Sequence, residues 1–118
     1  MKPEDRHFLI ARSLFREAND GFFLFHPTSL AVIDLNPAAL RMTGLEKSAA
    51  LAMGLADLFS TRSPGGLNRL AQALEQTGFF HSREGYFLKR SGGEPLPVNL
   101  SVSRIHLEPD TLGLVVAR

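Results

Sequence analysis

Hydrophobic positions along this chain change their period several times, and each change marks an element. Between His7 and Asn19, the side chains of Phe8, Ile10, Ala11, Leu14, Phe15 and Ala18 share an arc of about 160° at helical spacing, with Leu9 outside it. This predicts an amphipathic helix. Two apolar runs, Phe22 to Phe25 and Leu30 to Leu35, are separated by His26, Pro27, Thr28 and Ser29, the composition of a hairpin loop, so they should pair antiparallel. Asn36 then supplies an N-cap, Pro37 fits the first helical position, Ala38 to Met42 continue as helix, and Gly44 suits the C-terminal end.

Short helical turns follow over Ser48–Leu51 and Leu55–Phe59, and Ser63-Pro64-Gly65-Gly66 breaks the chain. Leu67, Leu70, Ala71 and Leu74 recur at i, i+3, i+4 and i+7, which predicts a helix closed by Gly78. Phe79 to Arg90 reads as a strand with Tyr86 and Leu88 on one face, and Gly92-Gly93 as its turn. Leu96 to Ile105 alternates, with Leu96, Val98, Leu100 and Val102 inward and Pro97, Asn99, Ser101 and Ser103 outward. Glu108-Pro109-Asp110 makes the next turn and Leu112 to Ala117 the last strand. The sum is an α+β domain: a five-stranded antiparallel sheet with the middle helices crossing one face, because they must reach the third strand. Phe22 and Leu24 lie opposite Phe23 and Phe25 and are apolar too, so both sheet faces should be covered, one by the N-terminal helix or a partner.

The stretch Asn19-Asp20-Gly21 before the first strand, the hairpin, and Asn36-Pro37-Ala38-Ala39-Leu40-Arg41-Met42-Thr43-Gly44 resemble the opening of a PAS sensor domain. The likeness continues through Asp57-Leu58-Phe59 and through Lys89-Arg90-Ser91-Gly92-Gly93-Glu94-Pro95-Leu96-Pro97-Val98, covering residues 17 to 118. It implies strand order 2-1-5-4-3. It also implies a sensory and interaction module of a larger signal-transduction protein, such as a sensor histidine kinase or a cyclic-nucleotide signalling protein. Residues 1–20 would then be an N-terminal helix for dimerisation or capping, and 21–118 the sensor domain. Two departures stand out. His26 takes a turn position where the family more often has an acid. Ser48, Ala49 and Glu94 lack the acid and base that pair across these positions in some members.

Composition narrows the partners. Thirteen basic and twelve acidic residues leave a formal charge of +1, which points away from nucleic acid and from a basic membrane patch. The charged start Met1-Lys2-Pro3-Glu4-Asp5-Arg6 lacks the apolar core of a signal peptide, so a cytoplasmic location without direct membrane contact is expected. At 118 residues the chain can build one core without staples, and it has no cysteine for disulfides or thiolate chemistry.

Candidate chemistry is sparse. His7, His26, His81 and His106 sit at no metal-ligand spacing, so no metal is expected. In haem-binding relatives the axial ligand comes from the long helix after the crossing, and Leu67 to Thr77 offers no His, Cys, Tyr or Met; flavin photochemistry would need a cysteine. Neither haem nor flavin is expected, which leaves an unidentified small apolar ligand. Its cavity would be lined by Phe23, Phe25, Leu70, Leu74, Tyr86, Leu88, Val98, Leu100 and Val115, which the two periods aim between sheet and helices and which can also fill that space themselves. A homodimer interface would use Phe8, Ile10, Leu14, Phe15, Phe22 and Leu24. The alternative function is a small pocket enzyme of the ketosteroid-isomerase type, with Asp34 or Asp57 facing Tyr86. Whether a carboxylate lines the cavity separates the two.

Overall fold

A computed structural model describes residues 2–76, 79–107 and 109–118. Its elements run α1 (Pro3–Glu17), β1 (Gly21–Phe25), β2 (Val32–Leu35), α2 (Pro37–Thr43), α3 (Lys47–Leu51), α4 (Leu55–Leu58), β3 (Phe59–Thr61), α5 (Gly66–Glu75), β4 (Phe79–Leu88), β5 (Leu96–Leu107) and β6 (Asp110–Ala117). The described strands form one antiparallel sheet in the order β2-β1-β6-β5-β4-β3. The expected five strands keep their expected order, and a sixth is added at the edge. Phe59 to Thr61 leave α4 directly and pair with Tyr86 to Leu88. Phe59, expected as the end of a helical turn, is therefore the first residue of a strand.

The chain makes these elements for local reasons. The Asn36 side chain accepts the N–H of Ala39 at 2.9 Å, capping α2, and Pro37 occupies the first turn where no donor is missed. Gly44 ends the helix at φ 68°, a left-handed conformation that glycine adopts without steric cost. The Gly54 N–H donates to the Asp57 carboxylate at 2.9 Å, opening α4. In the hairpin loop the His26 ring Nδ1 accepts weakly from Thr28 and Ser29, so the imidazole takes the acceptor role an acid would have there. Leu30 turns left-handed at φ 63° as its N–H reaches the His26 carbonyl at 2.8 Å, which is why β2 begins at Val32 and not at Leu30. The outer side of this loop is tied to the helical crossing: Val32 N–H donates to Met53 O and Leu55 N–H to Leu30 O.

The core lies between the sheet and the helices from α2 to α5. Along β5, Val98, Leu100 and Val102 are buried, Leu96 packs at the rim of the core, and Pro97 and Asn99 are exposed, as the alternation requires. In α5, Leu70, Ala73 and Leu74 are buried, while Asn68, Arg69 and Glu75 face out. A bulge between Ser82 and Tyr86, with Gly85 at φ 87°, re-aims the second half of β4 so that Tyr86 and Leu88 point inward. The predicted stop at Gly78 and the turn residue Glu108 lie outside the described residues.

Candidate functional site

The nine residues expected around a cavity all come together. Phe23, Phe25, Leu70, Leu74, Leu88, Leu100 and Val115 are fully buried and Tyr86 and Val98 nearly so, within one hydrophobic cluster. Strand pairing explains part of this convergence: Phe23, Val115 and Val102 stand side by side across β1, β6 and β5 on the inward face. Phe59 joins them from β3. Its ring meets Phe23 edge-on at 5.2 Å and Phe25 at 6.4 Å, and Phe23 stacks beside Phe25 at 6.5 Å. Three phenylalanine rings thus take up the space between sheet and helices. Tyr86 and Val98 also line a surface groove together with Arg62, Phe87, Pro97, Asn99 and Arg118.

Tyr86 is the polar group of this interior, and its hydroxyl donates to the Gly66 carbonyl at 2.8 Å. Burial raises its pKa above the ordinary value, while the nearby Arg69 guanidinium pulls it partly back. The acids considered beside it serve elsewhere. Asp34 accepts from the Leu35 N–H and pairs with Lys47 at 3.4 Å, and Asp57 caps α4. Facing inward from α5 are Leu70, Ala73 and Leu74, none of which can ligate iron, so the helix does not fit a haem held from it.

The other candidate surface is α1. None of its residues is buried: Phe8 and Leu14 are 65% exposed and Ile10 50%. The C-terminal half of the helix packs on the domain: Phe15 meets Phe22 at 6.1 Å between ring centroids, and Arg12, Phe15 and Arg16 line a groove with Leu35, Pro37 and Leu40. Of the six residues expected at a dimer interface, Phe8, Ile10 and Leu14 stand in solvent, Phe15 and Phe22 are half-buried where they meet, and Leu24 is half-buried farther along β1. Along one side of α1 runs an apolar groove of about 670 Å³. Ile10, Leu14, Ala18 and Phe22, all expected in the apolar patch, line it. Arg6, Leu9, Ser13 and Glu17 line it too and were not expected there. Leu9 falling outside the main stripe was the signal that a second apolar line exists.

Asn36, fully buried, does more than cap α2: its Oδ1 also accepts the Phe22 N–H at 2.9 Å and its Nδ2 donates to the Asp20 carbonyl at 3.0 Å. One side chain therefore joins the entry to β1, the end of β2 and the start of α2. Arg118 adds an exposed ion pair to Asp20 at 2.9 Å, so the residue after β6 meets the residue before β1.

Comparison with known proteins agrees with this layout. A search of curated proteins finds no match. Among solved structures, the chain is similar to a domain of a sensory box sensor histidine kinase/response regulator from Geobacter sulfurreducens, at 27% identity and TM-score 0.75, over 99% of this chain and 97% of that one. It shares its fold with the PAS domain of nitrogen regulation protein NR(II) from Vibrio parahaemolyticus, at 21% identity and TM-score 0.73, over 92% and 96% of the two chains. The PAS domain of an HTR-like protein from Haloarcula marismortui has the same fold, at 15% identity and TM-score 0.79, over 98% and 93%. Residues 19–118 match the sequence pattern that defines the PAS domain, and the chain belongs to that family.

Proposed function

We propose that this PAS domain is the sensory and interaction module of a larger cytoplasmic signal-transduction protein, of the sensor histidine kinase or cyclic-nucleotide signalling kind, and that it relays its state to a downstream domain through contacts between two copies. The carrying observation is the exposed stripe of α1: large apolar side chains held in water on a helix of which no residue is buried. The likeness to a sensor histidine kinase/response regulator domain supports the signalling context. Among the described residues no helix is long and apolar enough to cross a membrane.

The reading assigns the input to a partner surface or to a small apolar ligand that displaces part of the phenylalanine cluster, without resident haem or flavin. An isomerase-type pocket enzyme is not favoured, because Tyr86 is spent on Gly66 and neither Asp34 nor Asp57 faces it. Sedimentation at high micromolar concentration together with native mass spectrometry tests the proposal. A dimer is expected, and any co-purified small molecule would identify the input. A monomer at that concentration would remove the relay between copies from the isolated domain.

A further inference from the structure

We infer that the two α1 helices pair antiparallel, in a register that sets Arg6 of each copy against Glu17 of the other. This rests on the dimer reading above and adds the direction and register of its interface, on the side of α1 that carries Leu9, Ile10 and Leu14 and not Phe8. The groove on α1 is lined by Arg6, Leu9, Ile10, Ser13, Leu14 and Glu17 before it reaches the foot of the helix. These six positions mirror one another about the point between Ala11 and Arg12. Turning the segment end for end exchanges Arg6 with Glu17, Leu9 with Leu14, and Ile10 with Ser13. A two-fold axis across the helix performs that exchange, because in an isologous contact residue i meets j and j meets i. The outer pairs then carry opposite charge, one inner pair is leucine on leucine, and the other sets a branched side chain against a small one.

Parallel pairing of the same faces brings Arg6 onto Arg6 and Glu17 onto Glu17, like charges at both ends. The placement of the helix also suits the antiparallel arrangement. Each α1 meets its own domain through its C-terminal half, at Arg12, Phe15 and Arg16, so the two domains would sit toward opposite ends of the helix pair. Ala18 and Phe22, which close the groove on the domain side, would receive the partner's first helical turn.

The chain has no cysteine, so single cysteines report cleanly. Arg6→Cys and Glu17→Cys proteins are mixed and oxidised. The inferred register predicts a disulfide between the two variants and little cross-linking of either alone, since two copies of one position would lie about 16 Å apart along the helix axes and a disulfide needs α-carbons within about 7 Å. Disulfides within each variant alone would overturn the antiparallel register and leave the dimer standing. A monomeric wild type would overturn the dimer reading itself. A charge exchange gives a second test. Arg6→Glu should weaken the dimer about tenfold, because two symmetric attractions become repulsions, and Arg6→Glu/Glu17→Arg should restore it. A double variant as weak as the single one would refute the pairing.

Discussion

α1 and α5 are both amphipathic helices with leucines on their apolar sides, yet Leu74 is fully buried while Leu14 is 65% exposed. The difference lies in connectivity. α5 joins β3 to β4, so both of its ends are fixed to the sheet and its stripe must cross the inward face. α1 is joined to the sheet by the chain at its C-terminal end alone and packs through Arg12, Phe15 and Arg16, which leaves Phe8, Ile10 and Leu14 largely in solvent. An apolar stripe therefore states a demand for cover. Topology decides whether the same chain can meet it.

The interior side of this comparison should yield the largest effect. Phe23→Ala removes a ring that touches Phe25 and Phe59 with no solvent to refill the space, and should cost about 3–5 kcal/mol of unfolding free energy. Denaturant unfolding measures this. A cost under about 1 kcal/mol would mean that the cluster is loose enough to take a ligand without strain, which would erase the contrast between interior and helix.

Next comes the joint between the two regions. Asn36→Ala leaves the N–H groups of Phe22 and Ala39 and the carbonyl of Asp20 without their shared partner, and should cost about 2–3 kcal/mol. Asn36→Asp keeps the acceptor but loses the donor to Asp20 and buries a charge, so it should not rescue. If Asn36→Asp proves as stable as wild type, the Asp20 bond contributes little to holding the entry of β1.

Tyr86 gives a smaller and pH-dependent effect. Tyr86→Phe removes the bond to Gly66 and should cost about 1 kcal/mol. Because burial raises the folded-state pKa above the ordinary value of 10.0, the neutral phenol is the form that folding favours. Its contribution is complete below the unfolded pKa and is lost as pH rises through the higher folded one. Alkaline unfolding of wild type should therefore include a component that Tyr86→Phe lacks. As the chain has a single tyrosine, its ultraviolet titration can be read directly, and a midpoint at or below the ordinary value would contradict the burial argument.

Much of the interior could be read from periodicity. The two-residue alternation of β5 and the 3.6-residue recurrence of α5 each specify a face, and two facing patterns suffice to name Leu74, Tyr86, Val98 and their neighbours. β3 escaped because three residues following a helical turn carry no period of their own. Leu30 escaped because its left-handed backbone is imposed by a bond to His26 and not by a turn-forming side chain. The bond from Tyr86 to Gly66 spans 20 residues and depends on how α5 starts, which no local pattern records. On α1 the main stripe was legible but the groove was not, since Arg6, Ser13 and Glu17 look like ordinary surface positions until the side of the helix that the domain leaves uncovered is known.

The smallest effect on stability should come from α1, and it completes the comparison. Leu14→Asp places a charge on a side chain that is already mostly in water, so it removes almost no contact within one copy. The folded monomer should change by within about 0.5 kcal/mol, and Ile10→Asp, half-exposed on the same side, should behave alike. Assembly should respond quite differently, because in a pair of helices the same carboxylate would be buried against leucine without a partner. We expect both variants to sediment as monomers under conditions where wild type is a dimer, with the circular dichroism of the sheet retained. A Leu14→Asp protein that unfolds as readily as one altered at Phe23 would show that α1 is packed on its own sheet in solution. One that still dimerises would place the contact between copies on another surface, and the exposed stripe would lose its assigned role.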